Sequence, residues 1–143
     1  MRSLPEGKAD NMNFYKTEKY DKNFLKENMM GPNSMMILEE LLNEVPLKSG
    51  MRVLDLGCGN GLTSVFLAKE YGVQVFALDL WISATDNYRR FLKNGVDDLI
   101  IPIHADAQDM PFAEEFFDAV VSVDAYHYVG NNDTFFPEKV RPL

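Results

Sequence analysis

The chain has 143 residues, of which 46% are hydrophobic and 25% charged, and a formal net charge of −8. This length suits one domain and argues against an enzyme of several domains, and the composition is that of a chain with a buried core. The acidic balance repels phosphate backbones, so we expect neither a nucleic-acid binder nor a polybasic membrane anchor. Nearly all of the acidic excess follows Gly50.

Cysteine content and apolar runs bear on the compartment. The single cysteine, Cys58, excludes an internal disulfide and a cysteine-built zinc site. The two histidines, His104 and His127, stand in different contexts, so we predict no metal site. No apolar run approaches the roughly 20 residues that cross a bilayer, and residues 1–13 lack the apolar stretch of a signal peptide. These features predict a cytoplasmic protein without a membrane partner.

The first part of the chain predicts a flexible tail over residues 1–13 and a helical cap over residues 14–47. Tyr20, Phe24 and Leu25 recur at helical spacing, which predicts one helix over residues 16–30 that ends at a Gly-Pro turn. Ser34 is the expected N-cap of a second helix. The turn at residues 29–32 is expected either to pack in the core or to line the entrance to a ligand site.

Residues 48–143 are predicted to form the core of the protein. Short apolar runs predict strands over residues 51–56, 73–78, 99–104 and 117–123, and the segments 62–71 and 83–94 have helical patterns. Strands and helices that alternate at this spacing indicate an α/β fold, doubly wound, with a mainly parallel sheet. Gly95 is expected to end the second of these helices.

The most informative motif is VLDLGCGNG at residues 53–61, where a strand leads into a glycine-rich turn. Glycines at alternate positions allow a sharp turn and a close approach to a ligand, although a plain strand–helix turn is the alternative. A dinucleotide fingerprint requires a glycine where this chain has Leu62. A pyrophosphate would also be repelled by Asp55. A NAD-dependent oxidoreductase is therefore the less favoured alternative.

These residues closely resemble motif I of the class I S-adenosylmethionine-dependent methyltransferases. The motif is similar to that of the small-molecule branch related to the ubiquinone and menaquinone C-methyltransferases. The resemblance implies a Rossmann-like fold and S-adenosylmethionine as cofactor, with S-adenosylhomocysteine as product. It also implies that the motif binds the cofactor with Gly57, Cys58, Gly59 and Gly61, while Asp55 acts through the glycine loop and ordered water.

The same resemblance, which extends over residues 34–143, implies further cofactor contacts after the later strands. Asp79 would bind the ribose hydroxyls, and an apolar side chain at Leu80 or Trp81 would cover the adenine. Asp106 and the Ala107 amide would bind the adenine edge. Ser122 and Val123 would lie near the methionine moiety. Simpler alternatives remain for three of these residues. Asp79 is also explained as an acid at a helix N-terminus, where the helix dipole favours it. Trp81 is as readily explained by ordinary packing, and Asp106 by a solvated loop.

The acceptor end of the predicted site is less defined. His127 is the candidate catalytic residue, because it can serve as a general base if the acceptor loses a proton. A packing or surface role for His127 is the alternative, and Asp124 is equally consistent with a capping acid. The implied reaction is methyl transfer to a small-molecule acceptor, with a non-catalytic S-adenosylmethionine-binding module as the other hypothesis.

The resemblance also implies seven strands, of which four are predicted here. We therefore expect this chain to be the cofactor-binding part of a longer enzyme, without the C-terminal strands of the family fold. Residues 117–123 would then form an apolar sheet edge, and such an edge favours self-association with a second chain.

Overall fold

A computed structural model describes residues 15–31, 33–123, 125 and 133–143. The helices are Tyr15–Glu18 (α1), Lys22–Asn28 (α2), Ser34–Leu42 (α3), Leu62–Tyr71 (α4) and Ala84–Lys93 (α5), and the strands are Arg52–Leu56 (β1), Gln74–Asp79 (β2), Ile100–His104 (β3) and Ala119–Val121 (β4). A π-helical turn, Phe136–Val140, follows near the end of the chain. The strands form one parallel sheet in the order β3-β2-β1-β4, which confirms the predicted fold class.

The two faces of the sheet are covered differently. Residues that alternate along the strands, such as Val53 and Val75, join the buried residues of helices α2 to α5 in one apolar cluster. Their neighbours Leu54 and Leu78 face the other way and pack with Phe135 in a second cluster. The segment between β3 and β4 supplies half of the partly buried side chains packed against that second cluster. Both faces are therefore covered, as a parallel sheet requires.

A buried carboxylate anchors the start of the described chain. Glu39 in α3 accepts hydrogen bonds from the backbone N–H groups of Lys16 and Thr17, each at 3.1 Å, and from the Thr17 hydroxyl at 2.5 Å. The first N–H groups of a helix have no partner inside the helix. Glu39, which belongs to α3, therefore provides hydrogen-bond acceptors for the first N–H groups of α1 and connects α1 to the core.

Two expectations about helix boundaries in this region are wrong. The single helix predicted over residues 16–30 is divided at Asp21, whose carboxylate caps α2 by accepting from the N–H groups of Asn23 and Phe24. The N-cap of α3 is Asn33, which accepts from the Met36 N–H, and Ser34 is the first helical residue instead. In both cases an Asx side chain caps the helix, which is among the strongest N-cap preferences.

Strand β4 forms one edge of the sheet among the described strands. Just before it, the N–H groups of Glu115 and Phe117 donate to the carbonyls of Pro142 and Leu143 at 2.7 and 2.9 Å. The approach to β4 is thus already paired within the chain. Self-association through this edge stays a prediction.

The described ranges show neither a membrane-spanning helix nor a metal-binding cluster. None of their helices combines the length and the apolar character that crossing a membrane requires. Nor do the described residues contain a group of three or more His, Cys, Asp or Glu side chains arranged to hold a metal ion. The cytoplasmic location stays a prediction.

Candidate functional site

The strand order creates a crevice at one edge of the sheet. The chain runs from β1 outward through β2 to β3, and then crosses back to place β4 on the other side of β1. In open α/β sheets, ligands bind outside the carboxyl ends of the strands at the point where the order reverses. That point lies here between the ends of β1 and β4, directly beside the glycine-rich turn.

The glycine-rich turn leaves no room for larger residues at its start. Gly57 has a φ of 74°, and a Cβ added there would lie 2.5 Å from the Cβ of Ala125. A residue with a side chain is disfavoured by both the backbone conformation and the contact. The turn is also fixed from below, because the N–H groups of Gly57 and Cys58 both donate to the Leu78 carbonyl, at 2.9 and 3.0 Å.

Asp79 connects the ends of β1 and β2. Its carboxylate is 7% exposed and accepts three backbone hydrogen bonds, one from Gly59 at 2.9 Å and two from Trp81 and Ile82 at 2.8 and 2.9 Å. An ionised carboxylate offers about four acceptor positions, so about one remains. Asp79 can therefore accept one further hydroxyl, and the expected bidentate bond to both ribose hydroxyls requires it to give up a backbone partner.

A cavity of about 200 Å³ opens at this edge, between the strand ends and the N-terminal segment. Of the residues predicted to bind the cofactor, those that line the cavity are Gly57, Cys58, Gly59, Asp79, Leu80, Trp81, Asp106, Ala107, Ser122 and Val123. Asp55 and Gly61 are not among its lining residues. His127 and Asp124 lie outside the described residues.

Asp55 lies beneath the glycine-rich turn and is fully buried. One carboxylate oxygen accepts hydrogen bonds from the hydroxyls of Thr63 and Ser64, at 2.5 and 2.7 Å, in the first turn of α4. The other oxygen, Oδ1, is buried without a hydrogen-bond partner. Burial raises the pKa of Asp55 to about 6 despite these two hydroxyl groups, and the charge of Asp79 adds a smaller contribution in the same direction.

We expect the Asp55→Asn variant to reveal this titration as a pH-dependent difference in stability. Between about pH 4 and pH 6 the folded protein holds a proton on Asp55 that the unfolded chain has lost, so wild-type stability falls as the pH rises. The variant lacks this titration. Its free energy of unfolding, relative to wild type, should therefore increase by on the order of 3 kcal/mol from pH 4 to pH 7.

Urea unfolding followed by circular dichroism at several pH values measures this difference. Asp97→Asn, at an exposed position, is the control and should show no comparable trend. A difference between Asp55→Asn and wild type that is the same at every pH would show that Asp55 ionises normally.

The thiol of Cys58 lines the cavity but is 7% exposed. It donates to the Gly59 carbonyl, and the Asn87 side-chain amide donates to its sulfur, each at 3.6 Å. Burial raises the pKa of this thiol well above its ordinary value, and the carboxylates of Asp55 and Asp79 add to the effect. Cys58 is therefore a protonated packing residue and not a nucleophile.

The loops after β2 and β3 are held together at the other end of the cavity. The His104 ring nitrogen Nε2 lies 2.7 Å from the Leu80 carbonyl, and because a carbonyl only accepts, the ring donates. Asp106 is exposed and accepts from the Gln108 N–H at 2.9 Å. Across the cavity, the Ser122 hydroxyl donates to the Leu56 carbonyl at 2.9 Å and fixes the end of β4 on β1.

The N-terminal segment supplies lining residues that the sequence did not single out. Asn28 and Ser34 line the cavity together with Met30 and Gly31 of the predicted turn. Asn60 of the glycine-rich turn lines it as well. An Asn at the end of a predicted helix, two residues before a Met-Gly-Pro turn, is the signal that could have indicated Asn28.

The described charged residues that line the cavity are all acidic. Among the described lining residues, Asp79 and Asp106 are the charged side chains, and the others are polar or apolar. Such a cavity favours a ligand with a positive charge and disfavours a pyrophosphate. The ends of all four strands contribute to it, and apolar side chains such as Leu80 and Val123 provide surface for a flat or aliphatic group.

The doubly wound sheet, the glycine-rich turn and the acid that ends β2 define the chain as a class I S-adenosylmethionine-dependent methyltransferase fold. Residues 53–143 match the family described as "Methyltransferase domain". The chain belongs to this family. The ubiquinone and menaquinone branch stays a prediction.

Individual relatives are consistent with this family. The 27-O-demethylrifamycin SV methyltransferase of Amycolatopsis mediterranei is 30% identical over 94 residues, which are 65% of this chain and 35% of that protein. A solved Haemonchus contortus "Phospholethanolamine N-methyltransferase 2", in complex with phosphomonomethylethanolamine and S-adenosylhomocysteine, is 27% identical, with a TM-score of 0.69 over 91% of this chain and 30% of that one. A solved protein from Methanococcus maripaludis covers 100% of this chain and 63% of its own, with a TM-score of 0.68 at 21% identity, which is a likeness of fold. The chain spans about a third of the length of the curated relatives that it matches.

Proposed function

We propose that this chain binds S-adenosylmethionine in the cavity at the carboxyl ends of its strands, as the cofactor-binding part of a methyltransferase that acts on a small-molecule acceptor. The observation that carries the proposal is the convergence of predicted cofactor residues from four strand ends on one acidic cavity. A sulfonium and an α-amino group are cationic, and they suit a lining whose described charged residues are carboxylates. The same charge argues against NAD.

The residues present fit the cofactor on steric grounds as well. Gly57 and Gly59 form a cradle that side chains would fill, because a Cβ at either position would lie within 3.0 Å of Ala125 or Met30. Asp79 would hold the ribose through its remaining acceptor position. Asp106 and the Ala107 N–H would bind the adenine edge, while Leu80 covers one of its faces, with Trp81 as the alternative for that surface.

When bound, S-adenosylmethionine supplies an activated methyl group on a positively charged sulfur. After transfer of the methyl group, that sulfur is the neutral thioether of the product. The chain's own contribution is to position the donor and to exclude water from it. Carboxylates near the positive charge stabilise the bound donor more than the transition state, in which that charge is being lost. The acceleration must then come mainly from alignment, which the rigid strand ends and the bonds of Asp79 provide.

The acceptor is proposed only as a class. The relatives described above act, by their names, on an oxygen of a rifamycin and on the nitrogen of a phosphorylated amine, so the shared cofactor half does not restrict the acceptor atom. If the acceptor loses a proton, His127 is the proposed general base. The acidic chain, with its net charge of −8, supports a small molecule over RNA or DNA as acceptor.

Isothermal titration calorimetry with S-adenosylhomocysteine tests the cofactor assignment. We expect saturable binding in the micromolar range at neutral pH, and no binding of NAD under the same conditions. Circular dichroism of the same sample controls for folding. Folded protein that binds NAD, or that binds no S-adenosylhomocysteine, would overturn the proposal.

A further inference from the structure

The cavity has one wall that does not belong to the sheet. Asn28 at the end of α2, together with Met30 and Gly31, lines the cavity beside the glycine-rich turn. The Met30 sulfur lies 3.0 Å from the position that a Cβ at Gly59 would occupy, and the Asn60 side-chain amide donates to the Asn28 carbonyl at 3.2 Å. This wall, residues 28–31, therefore packs directly on the glycine-rich turn, and a ligand in the cavity contacts both.

Arg90 in α5 fastens this wall to the core from outside the cavity. Its Nε donates to the Asn28 side-chain oxygen at 3.1 Å, and one terminal nitrogen donates to the Asn87 side-chain oxygen at 2.9 Å. Asn87 is 2% exposed and donates in turn to the Gly59 carbonyl at 3.0 Å. The guanidinium group thus joins the wall, through Asn87, to the same glycine that Asp79 holds from the other side.

The orientation of Asn28 is also determined. Its side-chain nitrogen donates to the Phe24 carbonyl at 2.9 Å, which leaves its oxygen directed to Arg90. Arg90 is half-buried, whereas its neighbour Arg89 is exposed and lies 3.8 Å from Asp86 in a surface ion pair. A planar guanidinium has several donors in fixed directions and can bridge two acceptors, as Arg90 does here. Arg89 shows no such bridge between Asn28 and Asn87 and serves as the comparison.

We propose that Arg90 is a positioning residue that holds residues 28–31 closed over the bound cofactor and so sets the rate at which the cofactor leaves. Arg90 does not line the cavity, so it acts through Asn28 and Asn87. This inference rests on the proposed function for the identity of the ligand. The latch itself, defined as Arg90, Asn28 and Asn87, is a property of the chain without ligand.

Stopped-flow fluorescence of Trp81 measures the rate at which the ligand dissociates, because Trp81 is the only tryptophan of the chain and lines the cavity. We expect Arg90→Met to raise the dissociation rate of S-adenosylhomocysteine about tenfold, the effect of losing one to two hydrogen bonds to a charged group, with little change in the association rate. Asn28→Ala should raise it similarly. The double variant should be no faster than Arg90→Met, because the Arg90–Asn28 bond is already lost in that single variant.

The control is Arg89→Met, which removes an arginine from the same helix and should leave the dissociation rate at the wild-type value. Arg90→Lys keeps the charge but not the two directed bonds, so it should fall between wild type and Arg90→Met, and it serves if Arg90→Met does not fold. Equal rates for the Arg90→Met and Arg89→Met variants, or additive effects in the double variant, would overturn the inference.

Hydrogen exchange of the ligand-free protein separates the latch from the proposed function. Arg90→Met should accelerate amide exchange in residues 22–31 without affecting β1 or β2. Unchanged exchange in that segment would exclude the latch, whatever the ligand. If wild-type protein binds no S-adenosylhomocysteine, the proposed function fails, and the retention role of Arg90 fails with it.

Discussion

Asp79→Ala is expected to abolish binding of S-adenosylhomocysteine and to lower the free energy of unfolding by about 3–5 kcal/mol. The variant removes the acceptor for the N–H groups of Gly59, Trp81 and Ile82. These hydrogen bonds hold the glycine-rich turn and the loop after β2 in place, so their loss distorts the cavity in addition to removing the proposed ribose contact. Calorimetry measures binding, and urea unfolding measures stability.

Three further variants make the Asp79 result interpretable. Asp79→Asn keeps one acceptor oxygen and should lose about half as much stability, so it remains informative if Asp79→Ala does not fold. Asp106→Ala removes an exposed carboxylate from the same cavity and should weaken binding with a stability change below about 1 kcal/mol. Asp97→Ala lies outside the lining and should change neither quantity. Wild-type affinity in Asp79→Ala would contradict the placement of the ribose at Asp79.

Gly61→Ala is expected to lower the free energy of unfolding by about 2–5 kcal/mol. Gly61 precedes α4 with a φ of 82°, a left-handed conformation that disfavours residues with a Cβ. The added Cβ would also lie 2.5 Å from Cε1 of Phe91, whose ring is fully buried. Because the ring cannot move without displacing α5, the variant should distort the packing of α5 against the glycine-rich turn.

Gly95→Ala is the matched control for the backbone conformation. Gly95 has a φ of 68°, and no atom lies within 4 Å of a Cβ placed there, so this variant should lose only about 1–2 kcal/mol. The excess loss in Gly61→Ala should decrease when Phe91 is shortened in a Gly61→Ala/Phe91→Leu double variant. If Gly61→Ala and Gly95→Ala lose the same free energy of unfolding in urea, the contact of the added Cβ with the Phe91 ring does not destabilise the protein.

The core of the fold is predictable because local patterns and tertiary structure agree there. The helix predicted over residues 62–71 has these bounds in the structure, and Ser83 and Asn94 are the caps of the helix predicted over residues 83–94. The local sequence pattern does not predict the helix bounds in the helical cap over residues 14–47, because Glu39 of α3 binds the start of α1. Such a contact has no signature in the sequence around residue 16.

The candidate site was predictable at the strand ends and less so elsewhere. Asp79 ends β2, the strand next to β1, and lines the cavity at the carboxyl ends of the strands, as expected. Asp55 was expected to act on the cofactor through the glycine loop; it lies one residue before the end of β1 and faces the N-terminus of α4. Period-two alternation places it on the same face as Val53, so the pattern contained this information. A lining role for the turn at residues 29–32 was one of two expectations, but the bond between Asn28 and Arg90 joins distant parts of the sequence and could not be read from spacing.

The burial of Cys58 has a chemical consequence for a cavity that holds a methyl donor. A sulfonium methyl group is an alkylating agent, and a thiolate is among the strongest nucleophiles that a protein contains. Burial and the carboxylates of Asp55 and Asp79 raise the pKa of the Cys58 thiol, so at neutral pH it is protonated, with its hydrogen directed to the Gly59 carbonyl. Burial, with a smaller contribution from Asp55 and Asp79, therefore disfavours the thiolate of Cys58 beside the proposed methyl donor.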